Sequence, residues 1–246
     1  MKPLPPNEPA RRTILKQTLA ITALSITGLA GLSVTSLSFA ASMSKQERDS
    51  MTPDAVINRF KEGNLRFREN RPLKHDYLAQ KRESAAGQYP VAVILGCIDS
   101  RAPAEIILDA GIGETFNARV AGNISNRDML ASMEFACAVE GAKLVLVMGH
   151  TRCGAIRGAI DNAKLGNLTA LLDEIKPAID KTEYPGERKG SNYEFVDAVA
   201  RKNIELTLEN IRKNSPVLKE MEDQKKIKIV GSMYHLDGGR VEFFES

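Results

Sequence analysis

Val91-Ala92-Val93-Ile94-Leu95-Gly96-Cys97-Ile98-Asp99-Ser100-Arg101 and Leu144-Val145-Leu146-Val147-Met148-Gly149-His150-Thr151-Arg152-Cys153-Gly154 are the two stretches that decide the fold. Each begins with an apolar run, 91–95 and 144–148, too short for a typical helix and without a polar face. Such runs read as strands buried on both sides. Each run ends in a glycine followed by a side chain that binds metals, Cys97 in one case and His150 in the other.

Working outward, Ser42 to Ser50 is a polar lead-in, and Pro53 opens a helix through about Glu69 with Val56, Ile57, Phe60, Leu65 and Phe67 among its apolar positions. A loop carrying Pro72, Gly87 and Pro90 follows. Between the two decisive runs lie a short helix at Pro103 to Leu108, a strand at Thr115 to Val120, and a helix from Asp128 to Val139 ended by Gly141. After them come helices from about Gly154 and from Leu168, then a long amphipathic one from about Asn192 to Lys213. Two strands, Ile227 to Tyr234 and Val241 to Phe244, are joined by Asp237-Gly238-Gly239. Strands alternating with helices imply the α/β class, a mostly parallel central β-sheet flanked by helices.

The first forty residues have a different character. A basic start with Arg11-Arg12-Thr13-Ile14-Leu15-Lys16 leads into an apolar stretch from Leu19 to Phe39, and Ser38-Phe39-Ala40 offers small residues to a signal peptidase. The paired arginines resemble those of the twin-arginine route, so residues 1–40 read as an export signal and the product as periplasmic. An uncleaved anchor is the other reading, but seven Ser and Thr residues between Leu19 and Phe39 dilute the segment as a membrane span. No stable membrane association is expected after cleavage. Residues 41–246 then form one domain. The leader carries Lys2, Arg11, Arg12 and Lys16 against Glu8, so without it the net charge of +3 falls to zero. No basic stripe interleaved with aromatics points to nucleic acid.

If the two runs lie parallel and adjacent, Cys97 and His150 emerge together at the carboxyl edge of the sheet, where open α/β proteins build their sites. Cys153 follows His150 by three residues, where the chain turns into the next helix. A cysteine after an apolar run is by itself usually a structural thiol, and His-x-x-Cys alone is a weak signal. At matching strand ends, however, two thiolates and one imidazole suit Zn2+ and leave a fourth tetrahedral position open. Cys137, among Phe135, Ala136, Ala138 and Val139, reads as a core thiol. His75, in a charged loop, reads as solvent-exposed, and His235, beside a turn, as uninvolved in chemistry. Asp99 and Arg101 lie on the same loop as Cys97, spaced to pair through charge-assisted hydrogen bonds.

Cys97-x-Asp99-Ser100-Arg101, followed after roughly fifty positions by Gly149-His150-x-x-Cys153-Gly154, resembles the β-carbonic anhydrases. Further similarity lies in Gly63-Asn64-x-Arg66-Phe67, in Arg119-x-Ala121-Gly122-Asn123, and in Gly231-x-Met233-Tyr234 before Val241-Glu242-Phe243-Phe244. It spans essentially the whole chain after the leader. The resemblance implies Cys97, His150 and Cys153 as zinc ligands, one ion per subunit, and Asp99 with Arg101 as a catalytic dyad. In some members the aspartate binds zinc itself in a closed state. The implied activity is reversible hydration of carbon dioxide to bicarbonate and a proton by attack of zinc-bound hydroxide, in a homodimer or tetramer. Many bacterial members with the closed state use a tryptophan in a regulatory bicarbonate pocket, and this chain has no Trp. Two alternatives share the fold: a hydrolase of carbon disulfide or carbonyl sulfide, and a non-catalytic structural zinc protein whose fourth vertex Asp99 closes.

Overall fold

Five strands form the central sheet in the computed structural model, which describes residues 42–244 and the backbone of Ser38–Phe39. β1 is Ala92–Gly96, β2 Thr115–Arg119, β3 Leu144–His150, β4 Lys228–Tyr234 and β5 Val241–Phe243. In space they run β2-β1-β3-β4-β5. The first four are parallel, and β5 returns antiparallel to β4.

Every residue of β1 and β3 is buried. The two-residue period sends alternate side chains to opposite faces. Val93, Leu95, Val145 and Val147 meet Val196, Val199 and Ile204 of the helix Tyr193–Asn214, whereas Ala92, Ile94, Leu144 and Leu146 meet Val56, Ile57 and Phe60 of the helix Pro53–Arg68. Each large aliphatic side chain so covered contributes about 1.5–3 kcal/mol of burial. Close approach of the long helix depends on two bare positions. A Cβ on Gly149 would lie 2.6 Å from Ile204 Cδ1, and one on Gly231 would lie 2.8 Å from Ile204 Cγ2.

The strand order also fixes where a site can form. The chain leaves β1 for β2 on one side and then crosses to β3 on the other, so the loops after β1 and β3 diverge and open a crevice between them. Pairing of Leu95 with Val147 and of Gly96 with Met148 brings the ends of both strands level.

Local departures from the sequence reading have identifiable causes. β3 runs on through His150, whose register partner is Tyr234. The helix expected over Asp128 to Val139 is α-helical over Arg127–Glu134 and then widens to a π-turn, Phe135–Val139, where the Glu140 amide reaches back to the Phe135 carbonyl at 3.0 Å. Inside the polar lead-in, Lys45–Ser50 is a helix started by a reciprocal Ser44–Glu47 capping box. The expected loop holds a helix, Tyr77–Ser84, capped by Asp76. Lys176–Lys181 and Pro216–Asp223 are also helical. All four are a turn or two long, too short for periodicity to announce them.

His75 is not solvent-exposed. Its side chain is 5% accessible, its Nε2 lies 3.1 Å from Asp109 Oδ1, and its ring stacks on Tyr77 at 5.4 Å. Asp109 also takes Arg66 Nε at 2.6 Å, so a buried carboxylate draws in both bases. Residues 1–40, read from the sequence as an export signal, lie outside the described residues except for Ser38–Phe39, which pairs in parallel with Lys74–His75. Among the described residues no helix is long and apolar enough to cross a membrane.

Candidate metal centre

Cys97 stands immediately after β1, His150 is the last residue of β3, and Cys153 is the N-cap of the helix Gly154–Ile160. Arg152, between the last two, has φ +54°, the left-handed conformation that turns the chain back within three residues. That conformation costs a non-glycine residue roughly 1–2 kcal/mol. The outcome is convergence. The two sulfurs are 3.9 Å apart, and one ligand atom from each of Cys97, His150 and Cys153 lies within 4.8 Å of the others. Sulfurs about 2.3 Å from a tetrahedral zinc stand roughly 3.8 Å apart, so the observed spacing fits that ion.

The imidazole provides an independent test of fit. His150 Nδ1 donates to the Thr151 carbonyl at 2.9 Å, which leaves a lone pair on Nε2. That Nε2 is buried without a hydrogen-bond partner. Leaving a buried polar atom unsatisfied costs about 1–3 kcal/mol, so the arrangement makes sense when a cation takes the lone pair. The sulfurs agree. The adjacent Cys153 thiol, the His150 imidazole and the Gly122 amide, 3.4 Å from Cys97 Sγ, outweigh burial and hold Cys97 well below the ordinary thiol range. Cys153, facing that sulfur and buried, is pushed up. A divalent ion bound here would displace the thiol protons, because thiolates are the ligating form.

Asp99 is beside this cluster, its Oδ2 3.7 Å from His150 Nε2. Arg101 grips it in a bidentate fork, Nη2 to Oδ2 at 2.7 Å and Nε to Oδ1 at 2.9 Å, and the Arg101 amide adds a third bond at 2.9 Å. These bonds hold the Asp99 carboxyl down at about 2. Asp99 is thus an ionised acceptor turned toward its arginine, in the arrangement opposite to metal ligation.

Residues outside the sequence-derived set complete the frame. Arg119, at the end of β2, donates from Nε to the Cys97 carbonyl at 2.9 Å and from Nη2 to the Asp99 carbonyl at 2.5 Å, fixing the loop backbone. Its place in a recognised motif was the only sequence signal, because the contact depends on the Gly96–Arg119 register. Cys137 is buried, and burial pushes its thiol up to about 12, as a core position requires. His235 Nε2 lies 3.2 Å from Glu242 Oε2, tied into the closing hairpin.

A family model for carbonic anhydrase matches residues 92–241. Carbonic anhydrase 2 of Mycobacterium tuberculosis is 34% identical over 194 residues, covering 76% of this chain and 91% of its own. The carbonic anhydrase of Mycolicibacterium smegmatis is 32% identical over 196 residues, covering 77% and 92%. Among solved structures, one of two tetrameric β-carbonic anhydrases from Sordaria macrospora superposes with a TM-score of 0.60 at 25% identity, covering 68% of this chain and 86% of that one. The β-carbonic anhydrase CafA of Aspergillus fumigatus shares the fold, with a TM-score of 0.62 at 24% identity over 78% and 90%. With the matched sheet, the converging cysteines and histidine, and these relatives together, the chain is an enzyme of the β-carbonic anhydrase family.

Proposed function

We propose that the enzyme hydrates carbon dioxide reversibly to bicarbonate and a proton, using zinc held by Cys97, His150 and Cys153. The observation that carries this reading is the buried, partnerless Nε2 of His150 aimed beside two sulfurs 3.9 Å apart. When bound, zinc acts as a Lewis acid that acidifies water and makes hydroxide available near neutral pH.

The chain's own residues supply orientation. Asp99 is ionised throughout the working range, so it would accept a hydrogen bond from the hydroxyl group that zinc activates and orient it toward carbon dioxide. Arg101 sets the carboxylate's rotamer through both oxygens. A carboxyl held at about 2 is a poor proton carrier at neutral pH, so the released proton passes to solvent or buffer. Carbon dioxide hydration, followed with a pH indicator alongside zinc content, tests the proposal. Fully metallated protein that stays inactive into the alkaline range would refute it.

The same reading includes self-association as a homodimer or a tetramer. β2 is an edge strand beside the site, and Ile98, Ile106 and Phe135 near it are 61%, 61% and 47% exposed. It also includes export of the folded, metallated chain through the twin-arginine route. Replacing Arg11 and Arg12 by Lys and fractionating cells checks that step, with loss of periplasmic enzyme expected.

A further inference from the structure

The helix Tyr193–Asn214 contributes no metal ligand, yet it grips the backbone beside all three. Asp197, near its start, is half-buried, and its Oδ1 accepts the Arg152 amide at 2.6 Å. Arg152 is the residue with φ +54° between His150 and Cys153. Six residues further on, the buried Asn203 donates from Nδ2 to the Gly122 carbonyl at 2.8 Å. Gly122 also has positive φ, +73°, and its own amide points at Cys97 Sγ. Each of the two side chains thus holds a left-handed residue adjoining a ligand. The helix that carries them is fixed in turn, since Ile204 sits over Gly149.

The Arg152 side chain does not account for its backbone. Its guanidinium reaches Asp237 Oδ2 at 2.7 Å and lies 5.3 Å from the Tyr193 ring, but these groups are solvent-exposed and such contacts are weak. The hydrogen bond that the Arg152 N–H donates to Asp197 is the part that opposes the unfavourable φ.

We propose that Asp197 and Asn203 are positioning residues, through which one rigid helix holds the Arg152 and Gly122 backbones so that His150, Cys153 and Cys97 aim at a common ion. The inference rests on the zinc reading above. Groups that orient ligands from behind typically change metal retention by about 10–100-fold when removed.

The test is the rate at which zinc-loaded enzyme surrenders zinc to a chromogenic chelator, with the thiolate-to-cobalt absorption band of cobalt-substituted protein as a second readout. Asp197→Ala is expected to release zinc about tenfold faster, and Asn203→Ala to release it faster and shift the cobalt band. Asp197→Asn keeps an acceptor oxygen and should stay within about twofold of wild type. With Arg152→Gly, left-handed backbone costs nothing, so adding Asp197→Ala in that background should change release by less than about threefold. Should Asp197→Ala not fold, Asp197→Ser, too short to reach the amide, takes its place. Release at the wild-type rate from Asp197→Ala, or an equal penalty with glycine at 152, would overturn the proposal. Wild-type protein that binds no zinc would instead refute the metal reading itself.

Discussion

The loops that leave β1 and β3 both deliver metal ligands, but they are held in different ways. After β1, residues 97–101 are secured by charge: Arg101 clasps Asp99 with its side chain 54% accessible, and Arg119 reaches across from β2 to two carbonyls. At the end of β3, residues 150–153 are secured by burial. His150 and Cys153 are each 1% accessible, Gly149 admits Ile204, and the strained Arg152 is tied to Asp197. The comparison separates two contributions. The end of β3 offers two buried donors, and the loop after β1 offers the third, Cys97, together with the more exposed Asp99–Arg101 pair.

Breaking the buried loop should have the largest effect. His150→Ala or Cys153→Ser leaves two protein ligands, and zinc measured by atomic emission should fall from about one per chain to near zero, with carbon dioxide hydration lost. On the exposed loop, Asp99→Asn should leave zinc content unchanged and lower kcat by roughly 10²-fold, within the range for a positioned polar group acting on a proton in flight. The sign of the pH dependence sharpens this. Because Arg101 depresses the Asp99 carboxyl to about 2, its ionised form and the stability of the pair persist above the ordinary carboxylate range and disappear only as pH falls toward that value. The neutral-range titration should therefore survive in Asp99→Asn, its midpoint moved to lower pH by loss of a nearby negative charge. Disappearance of that titration would assign it to Asp99.

A smaller effect distinguishes packing from chemistry. Gly149→Ala forces a methyl group to within 2.6 Å of Ile204 Cδ1, and chemical denaturation should show a loss of about 1–3 kcal/mol. Its companion Ile204→Val trims the opposing side chain, and the double variant should recover part of that loss. Full additivity would show that the long helix does not bear on β3 at this point.

Much of this was legible in the chain. The strands of 91–95 and 144–148 declared themselves by unbroken apolar runs, and the ligand triad by metal-binding residues at matching ends. What escaped shares one cause: contacts made through backbone groups across distant segments. Arg119 acts on the Cys97 and Asp99 carbonyls only because β2 lies in register beside β1, and Asp197 acts on an amide 45 positions away. Neither changes the residue types that a motif displays. His75 was misread for a related reason. Its charged neighbours Lys74 and Asp76 indicate solvent, but the carboxylate that buries it, Asp109, is supplied from 34 residues downstream. Residues 1–40, whose export reading depends on the paired arginines, the apolar stretch and the small residues before the cleavage point, await the arginine-pair substitutions described above.

X-ray absorption at the zinc edge of the purified enzyme addresses the centre most directly. The account predicts one zinc per chain with a first shell of two sulfurs, one imidazole nitrogen and one further light atom. Protein that is folded yet free of zinc, or a shell lacking the two sulfurs, would contradict it.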